Sequence, residues 1–144
     1  MKELPNEIVG FISLNTVKIV ENLIKTTVHG FLFDCFEKSE IKVKKILQEE
    51  EGVTVIFAYS ERITRNEAAR IITDFHKKCG VFESQLTEKE IGVVDKITVG
   101  KSYFKIGLEM GEITPSAIAG FVKRIREKFS KQFPTVKPRV IVEK

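Results

Sequence analysis

Apolar residues recur at the three- and four-residue spacing of an amphipathic helix after Thr64. Thr64 is followed three residues later by Glu67, which together form the capping box that closes the first turn of many helices. The apolar stripe of this predicted helix consists of Ala68, Ile71, Ile72, Phe75 and Cys79. Gly80 is expected to end the helix, because glycine readily adopts the backbone conformation of a helix C-terminus.

A second helix is predicted to begin after Thr114, with Pro115 at its first position, where the missing N–H is tolerated. Pro134 is expected to end this helix, because proline cannot continue it. The apolar stripe consists of Ile118, Phe121, Val122, Ile125 and Phe129. The pattern therefore predicts two capped amphipathic helices.

The two helices begin 50 residues apart, and their similarity extends beyond the stripes. The aligned positions are Ile63-Thr64 with Ile113-Thr114 and Ala69 with Ala119. Each helix also follows a run that is predicted as a strand, at 53–59 and at 103–110. Two interpretations stay open: a tandem strand–turn–helix duplication, or two unrelated helices that capping and amphipathicity make alike.

Further strands are predicted at 41–47, 91–99 and 139–142, with a hairpin connection at 100–102. The run 31–36 is apolar on both alternating sets, so it fits a buried strand or the end of a helix. Near the N-terminus, the pattern predicts a helix over 5–14 and a second helix from Thr16 to about His29.

This order of elements favours an α+β fold with a mainly antiparallel sheet and helices packed on one face, because few connections are long enough for parallel crossovers. The length of 144 residues is typical of one hydrophobic core, so residues 1–144 are predicted to form a single domain. Within it, 1–36 is a predicted helical segment that packs on the sheet, and 41–144 carries the strand–helix repeats.

Composition places the chain among globular proteins of a reducing compartment. Phe is abundant, at 11 residues, and is expected to fill the core. The first 14 residues carry three residues, Glu3, Pro5 and Glu7, where a secretory signal has a basic start and an apolar run. We therefore expect a cytoplasmic protein with Cys35 and Cys79 as free thiols and with no membrane contact.

Candidate chemistry is sparse in this sequence. His29 and His76 have no cysteine or histidine at a metal-ligand spacing, and no glycine-rich phosphate loop is present. Cys79 lies on an apolar stripe and Cys35 among phenylalanines, settings that make a thiol inert. We predict no catalytic, cofactor or metal site and a protein that is not an enzyme. The alternative is a small enzyme built from carboxylates, which are Asp74, Glu83, Glu88, Glu90 and Asp95.

Positive charge is concentrated at the C-terminal end of the chain. Residues 114–144 hold 8 basic and 2 acidic side chains, whereas the rest of the chain has no excess of positive charge. The predicted binding residues are Lys123, Arg124, Lys128, Lys131, Lys137 and Arg139. We predict a regulatory or binding domain whose basic C-terminal helix contacts nucleic acid or an acidic protein. The competing interpretation is a solvated helix face, on which Glu127 pairs with Lys123 and Lys131.

A different class of function is a homo-oligomeric sensor or adaptor that binds a small ligand or a protein partner. In this version, the sheet or the predicted N-terminal helices over 5–29 form a homodimer interface. The supporting observation is an N-terminal apolar set too wide for one buried helical stripe, formed by Ile8, Val9, Phe11, Ile12 and Leu14.

Overall fold

The structure is a computed structural model, described over residues 6–137. Its elements, in chain order, are β1 (Glu7–Ser13), α1 (Leu14–Asn22), α2 (Val28–Phe36), β2 (Ile41–Glu49), β3 (Gly52–Tyr59), α3 (Arg65–Ser84), α4 (Glu88–Thr98), α5 (Tyr103–Glu109) and α6 (Pro115–Gln132). The predicted α+β class with an antiparallel sheet is confirmed.

In the described part of the chain, the sheet has three strands in the order β1-β3-β2, and both pairs are antiparallel. β2 and β3 form a hairpin in which Glu49 lies opposite Gly52. A bulge between Val43 and Lys45 shifts the register of β2. Because β3 is the central strand, β1 and β2 are the edges of the sheet within residues 6–137.

The two faces of the sheet differ in burial, as the two-residue period of a strand requires. The inner face carries Ile12, Val53, Val55 and Phe57, all at most 1% exposed. On the outer face, Val9 is 64% exposed and Phe11 is 45% exposed.

The helices form two layers on the inner face. α1, α2 and α3 contact the strands, and α4 and α6 pack against α1 and α3. α5 contacts α4 and α6. This arrangement puts α6 at the far side of the molecule from the sheet.

A cluster of phenylalanine rings joins the layers, as the abundance of Phe predicts. Phe31 of α2 lies with its ring centroid 5.6 Å from that of Phe129 on α6 and 5.7 Å from that of Phe75 on α3. Seven Phe side chains are buried, and they are Phe31, Phe36, Phe57, Phe75, Phe82, Phe129 and Phe133.

The predicted helix over 5–14 is wrong, because this segment contains β1. Ile8 and Ile12 point to the inner face, and Val9 and Phe11 point to the outer face. Gly10 has no side chain at an inward position of β1. The two-residue period of a strand is therefore not visible in the sequence of this segment. Because β1 is apolar on both faces, the N-terminal segment has more apolar residues than the single buried side of a helix would need.

The predicted helix from Thr16 to His29 is two helices. α1 begins after Ser13, whose hydroxyl caps it, and ends at Asn22. α2 begins after Thr27, whose hydroxyl accepts a hydrogen bond from the Gly30 N–H. The run 31–36 lies in α2, so of the two predicted alternatives, a buried strand or the end of a helix, the helix is correct.

The predicted strands at 91–99 and 103–110 are wrong, because these segments form α4 and α5. The β-branched residues of α4 favour strands in isolation, but Glu90, Val93, Val94 and Ile97 have helical spacing and face inward. The predicted hairpin at 100–102 therefore connects two helices.

The predicted starts of the two long helices are confirmed. Thr64 forms the capping box with Glu67, and Thr114 caps α6 with Pro115 in the first turn. Gly80 does not end α3, because Phe82 continues the buried stripe. The duplication is not confirmed, since α3 follows a strand and α6 follows a helix. The predicted strand at 139–142 lies outside the described residues.

Candidate functional site

α5 and α6 are joined by a turn that packs closely on α5. The Ile113 N–H donates to the Gly107 carbonyl oxygen at 2.9 Å. A Cβ at Gly107 would lie 1.9 Å from the Ile113 carbonyl oxygen, so only glycine fits there. Gly111 in the turn has φ +98°, a conformation that side chains disfavour. The turn therefore depends on two glycines, and it fixes where α6 begins.

The resulting unit is a short helix, a turn and a longer helix, with α4 packed against both helices. Two helices joined by a short turn are a common supersecondary unit. The turn between α5 and α6 covers 110–114. The unit leaves one side of α6 facing solvent.

The burial of α6 separates its residues into two sides. The inner side carries Ile118, Val122, Ile125 and Phe129, each at most 2% exposed. The outward side begins with small residues, which are Ser116, Ala117, Ala119 and Gly120, and continues with charged ones.

The six predicted binding residues do not share one environment. Lys123, Arg124 and Lys131 are exposed on the outward side of α6, and these three side chains are called the basic face. Lys137 is exposed beyond the end of α6. Lys128 is half-buried. Arg139 lies outside the described residues.

The cations of the basic face have no ion-pair partner among residues 6–137. Glu127 lies one turn from Lys123 and from Lys131, yet it forms no salt bridge with either of them. The Arg124 guanidinium lies 4.8 Å from the centroid of the Phe121 ring, a cation–π contact that orients it without neutralising it. The basic face is therefore an accessible concentration of positive charge.

Lys128 has a structural role, because it forms hydrogen bonds within the protein. Its Nζ donates to Glu90 Oε1 at 2.7 Å and to the Gln85 carbonyl oxygen at 2.8 Å. Glu90 is 2% exposed and also forms a capping box with Thr87. Burial alone would raise the pKa of Glu90, but the hydrogen bonds from Lys128 and Thr87 hold that pKa below its usual value. Lys128 thus ties α6 to the first turn of α4.

Arg126 also anchors α6, and the sequence prediction missed its contact. Its Nε donates to the Leu23 carbonyl oxygen at the end of α1, at 2.9 Å. Glu90 was likewise missed as an anchor. The sequence does carry one sign of it, because Thr87 and Glu90 have the same capping-box spacing as Thr64 and Glu67.

A second group of lysines, near α5, is neutralised within the protein. Lys96 and Lys101 both donate to the Glu109 carboxylate, at 3.0 and 2.7 Å. These hydrogen bonds, with that of Lys101 the stronger influence, lower the pKa of Glu109 to about 2. This surface therefore carries much less unpaired charge than the basic face.

The groups considered for catalysis have environments that oppose it. Burial raises the pKa of the Cys35 and Cys79 thiols to about 12, so both stay protonated at neutral pH. Burial also lowers the pKa of His76, whose Nε2 accepts the Phe11 N–H. His29 is exposed. Among the described residues, no three His, Cys, Asp or Glu side chains come together as metal ligands.

Three of the five predicted carboxylates bind separate partners. Glu83 accepts a hydrogen bond from Ser13, Asp95 from Lys18, and Glu90 from Lys128. A carboxylate that is occupied by a lysine or hydroxyl on a different element is not arranged as an acid–base pair.

Comparisons of the chain with protein-family models, curated proteins and solved structures find no match. Within residues 6–137, no helix combines the length and the hydrophobicity that a membrane span needs.

Proposed function

We propose that the protein is a non-catalytic domain that binds duplex DNA through the basic face of α6. The observation that carries the proposal is the environment of Lys123, Arg124 and Lys131, which are exposed on one side of one helix with no ion pair inside the described chain. Phosphate contacts supply most of the affinity in sequence-independent binding.

The form of the surface favours a duplex over an acidic protein. An α-helix with its side chains is about 10–12 Å across, and the major groove of B-DNA is about 12 Å wide. Small residues on the outward side of the first turns of α6, including Ser116, Ala117 and Gly120, allow close approach to a groove. The major groove of duplex RNA is too narrow for a helix, so DNA is the expected duplex.

The binding is expected to discriminate weakly between sequences. Base edges are read mainly by Arg, Lys, Asn and Gln near the start of a recognition helix. The exposed side chains at the start of α6 are Pro115, Ser116 and Ala117, of which only Ser116 can form a side-chain hydrogen bond. The phosphate contacts of the basic face would therefore dominate, and the dissociation constant is expected in the range of about 1–100 μM at physiological salt.

The test is the fluorescence anisotropy of labelled duplex DNA, single-stranded DNA and duplex RNA of equal length. We expect the unmodified chain to bind duplex DNA most tightly. The variant Lys123→Glu/Arg124→Glu/Lys131→Glu should lose affinity by about 100-fold or more, because it reverses every cation of the basic face.

The matched control is Lys38→Glu/Lys77→Glu/Lys78→Glu, which makes the same change in net charge at exposed positions outside α6. It should lower affinity by no more than about fivefold, through the loss of overall positive charge. Equal losses in the two variants would show that net charge, and not the basic face, drives binding. A lack of binding to all three nucleic acids at low salt would contradict the proposal.

A further inference from the structure

The outer face of the sheet combines apolar side chains with high exposure. Its rows follow from the strand register, in which Ile56 lies between Val9 and Lys45, and Thr54 lies between Phe11 and Leu47. Val9 is 64% exposed, Phe11 45% and Leu47 36%. All described helices that contact the strands lie on the other side, where the strand side chains are buried. An antiparallel sheet commonly packs one face on the core and exposes a polar face to water, and the apolar side chains on this outer face depart from that pattern.

The edges of this sheet are less suited to a partner than the face. β2 carries Lys42, Lys44 and Lys45 and a bulge, the features by which proteins obstruct the addition of another strand. On β1, the Phe11 N–H donates to His76 and the Glu7 carbonyl oxygen accepts from Arg65. A partner is therefore expected to pack over the outer face and not to extend the sheet.

The charges around the face complement one another under a two-fold rotation. An axis parallel to the strands places β1 of one copy over β2 of the other, so that Glu7 faces Lys42 and Phe11 faces Leu47. An axis across the strands places Lys42 over Glu49, and Val9 over Phe11. Either axis sets one apolar pair together and a lysine against a carboxylate, and it also sets Lys45 over Val9 or over Leu47. Glu7 is paired with Lys44 of its own chain, so a contact with Lys42 of the other copy would extend an existing ion pair across a self-complementary interface.

We propose that a second copy of this chain covers the outer face, in a dimer whose two sheets pack face to face. Sheets in such sandwiches lie about 10 Å apart, with their strands within about 30° of each other. Lys45 lies at the border of the apolar patch, where its aliphatic stem can cover the partner's apolar residues while its amine reaches water.

The size of the face limits the strength of this dimer. Three strands spaced about 4.8 Å apart, with a rise of about 3.4 Å per residue, make a face of roughly 14 by 23 Å. Standard interfaces bury about 800 Å² per partner, which is more than this face offers. We therefore expect a weak dimer that dissociates on dilution.

The test is sedimentation equilibrium of the full chain from about 1 μM to about 1 mM. We expect a monomer–dimer equilibrium that Val9→Lys weakens at least tenfold, because it places a second lysine charge in the apolar row. The matched control is Val99→Lys, which changes the same residue type at a 70% exposed position after α4. It should leave the dissociation constant within about twofold of the unmodified chain.

Three outcomes would overturn the dimer. They are a monomer at every concentration, a dimer that Val9→Lys leaves unchanged, and a dimer that Val99→Lys weakens instead. Circular dichroism and thermal unfolding of both variants establish that each is folded. Because α6 lies on the far side of the molecule from the sheet, Val9→Lys should retain the affinity of the unmodified chain for duplex DNA. This readout separates a failure of the dimer from a failure of DNA binding.

Discussion

Lys128 and Lys131 lie three residues apart on α6 and have opposite surroundings. Lys128 is half-buried and donates to the buried Glu90 carboxylate, whereas Lys131 is exposed and has no ion pair among the described residues. Both count equally in the charge excess of the C-terminal segment. A local charge excess therefore contains cations of two kinds, those that hold the helix in place and those available to a partner.

Removing the anchor should have the largest effect on stability. Lys128→Met leaves Glu90 buried without its cation, so the free energy of unfolding should fall by about 1–3 kcal/mol. Urea unfolding measures this change. The affinity of folded Lys128→Met for duplex DNA should stay within about twofold of that of the unmodified chain. A loss of affinity as large as that of Lys131→Met would show that both lysines contact DNA.

Acid should remove the stabilisation that the contact between Lys128 and Glu90 provides. The pKa of Glu90 is lower in the folded chain than in the unfolded chain, so the unfolded chain binds more protons in the window between the two pKa values. The stabilisation is complete above the unfolded value of about 4.3 and is lost as the pH falls through the folded pKa. The difference in unfolding free energy between the unmodified chain and Lys128→Met should therefore be smaller at pH 3 than at pH 7. A difference that stays constant would show that Lys128 acts through packing alone.

Removing the exposed lysine should change binding and not stability. Lys131→Met is expected to lower the affinity for duplex DNA about fivefold, which is the order expected for one phosphate contact. Its free energy of unfolding should stay within about 0.5 kcal/mol of the unmodified chain, because an exposed side chain without a partner contributes little. A marked loss of stability would indicate that Lys131 belongs to the fold, as Lys128 does.

The smallest expected effect comes from the carboxylate beside the basic face. Glu127 is exposed and pairs with neither neighbouring lysine, so Glu127→Gln removes only a negative charge near the proposed phosphate contacts. Affinity for duplex DNA should rise about twofold. Weaker binding in anisotropy titrations would mean that Glu127 orients a cation of the face.

The parts of the fold that local interactions determine could be predicted from sequence. Thr64 and Thr114 specify the starts of α3 and α6 through their own hydroxyls, and the patterns of 41–47 and 53–59 predict the strands that the structure has as β2 and β3. β1, α4 and α5 could not be assigned from the same patterns. Glycine hides the alternation in β1, and in α5 the alternation of Phe104, Ile106 and Leu108 imitates a strand although only Ile106 is buried.

The candidate site could be predicted only in part, for a related reason. The exposure of Lys123, Arg124 and Lys131 follows from the stripe opposite them, which the sequence displays. The role of Lys128 depends on Glu90, a residue 38 positions away in the chain that only the tertiary structure brings within reach. A count of charges along the sequence does not show which cations are paired in the folded chain. The predicted patch therefore included Lys128, which binds Glu90 within the protein.

The salt dependence of duplex DNA binding measures how many phosphates the cations of α6 neutralise. Each phosphate neutralised by a cation contributes about −0.9 to the slope of log K against log salt concentration. Three contacts from the basic face predict a slope of about −3 for the unmodified chain and for Lys128→Met, and a slope near −2 for Lys131→Met. A slope near zero, or a slope that Lys128→Met reduces and Lys131→Met does not, would contradict the account.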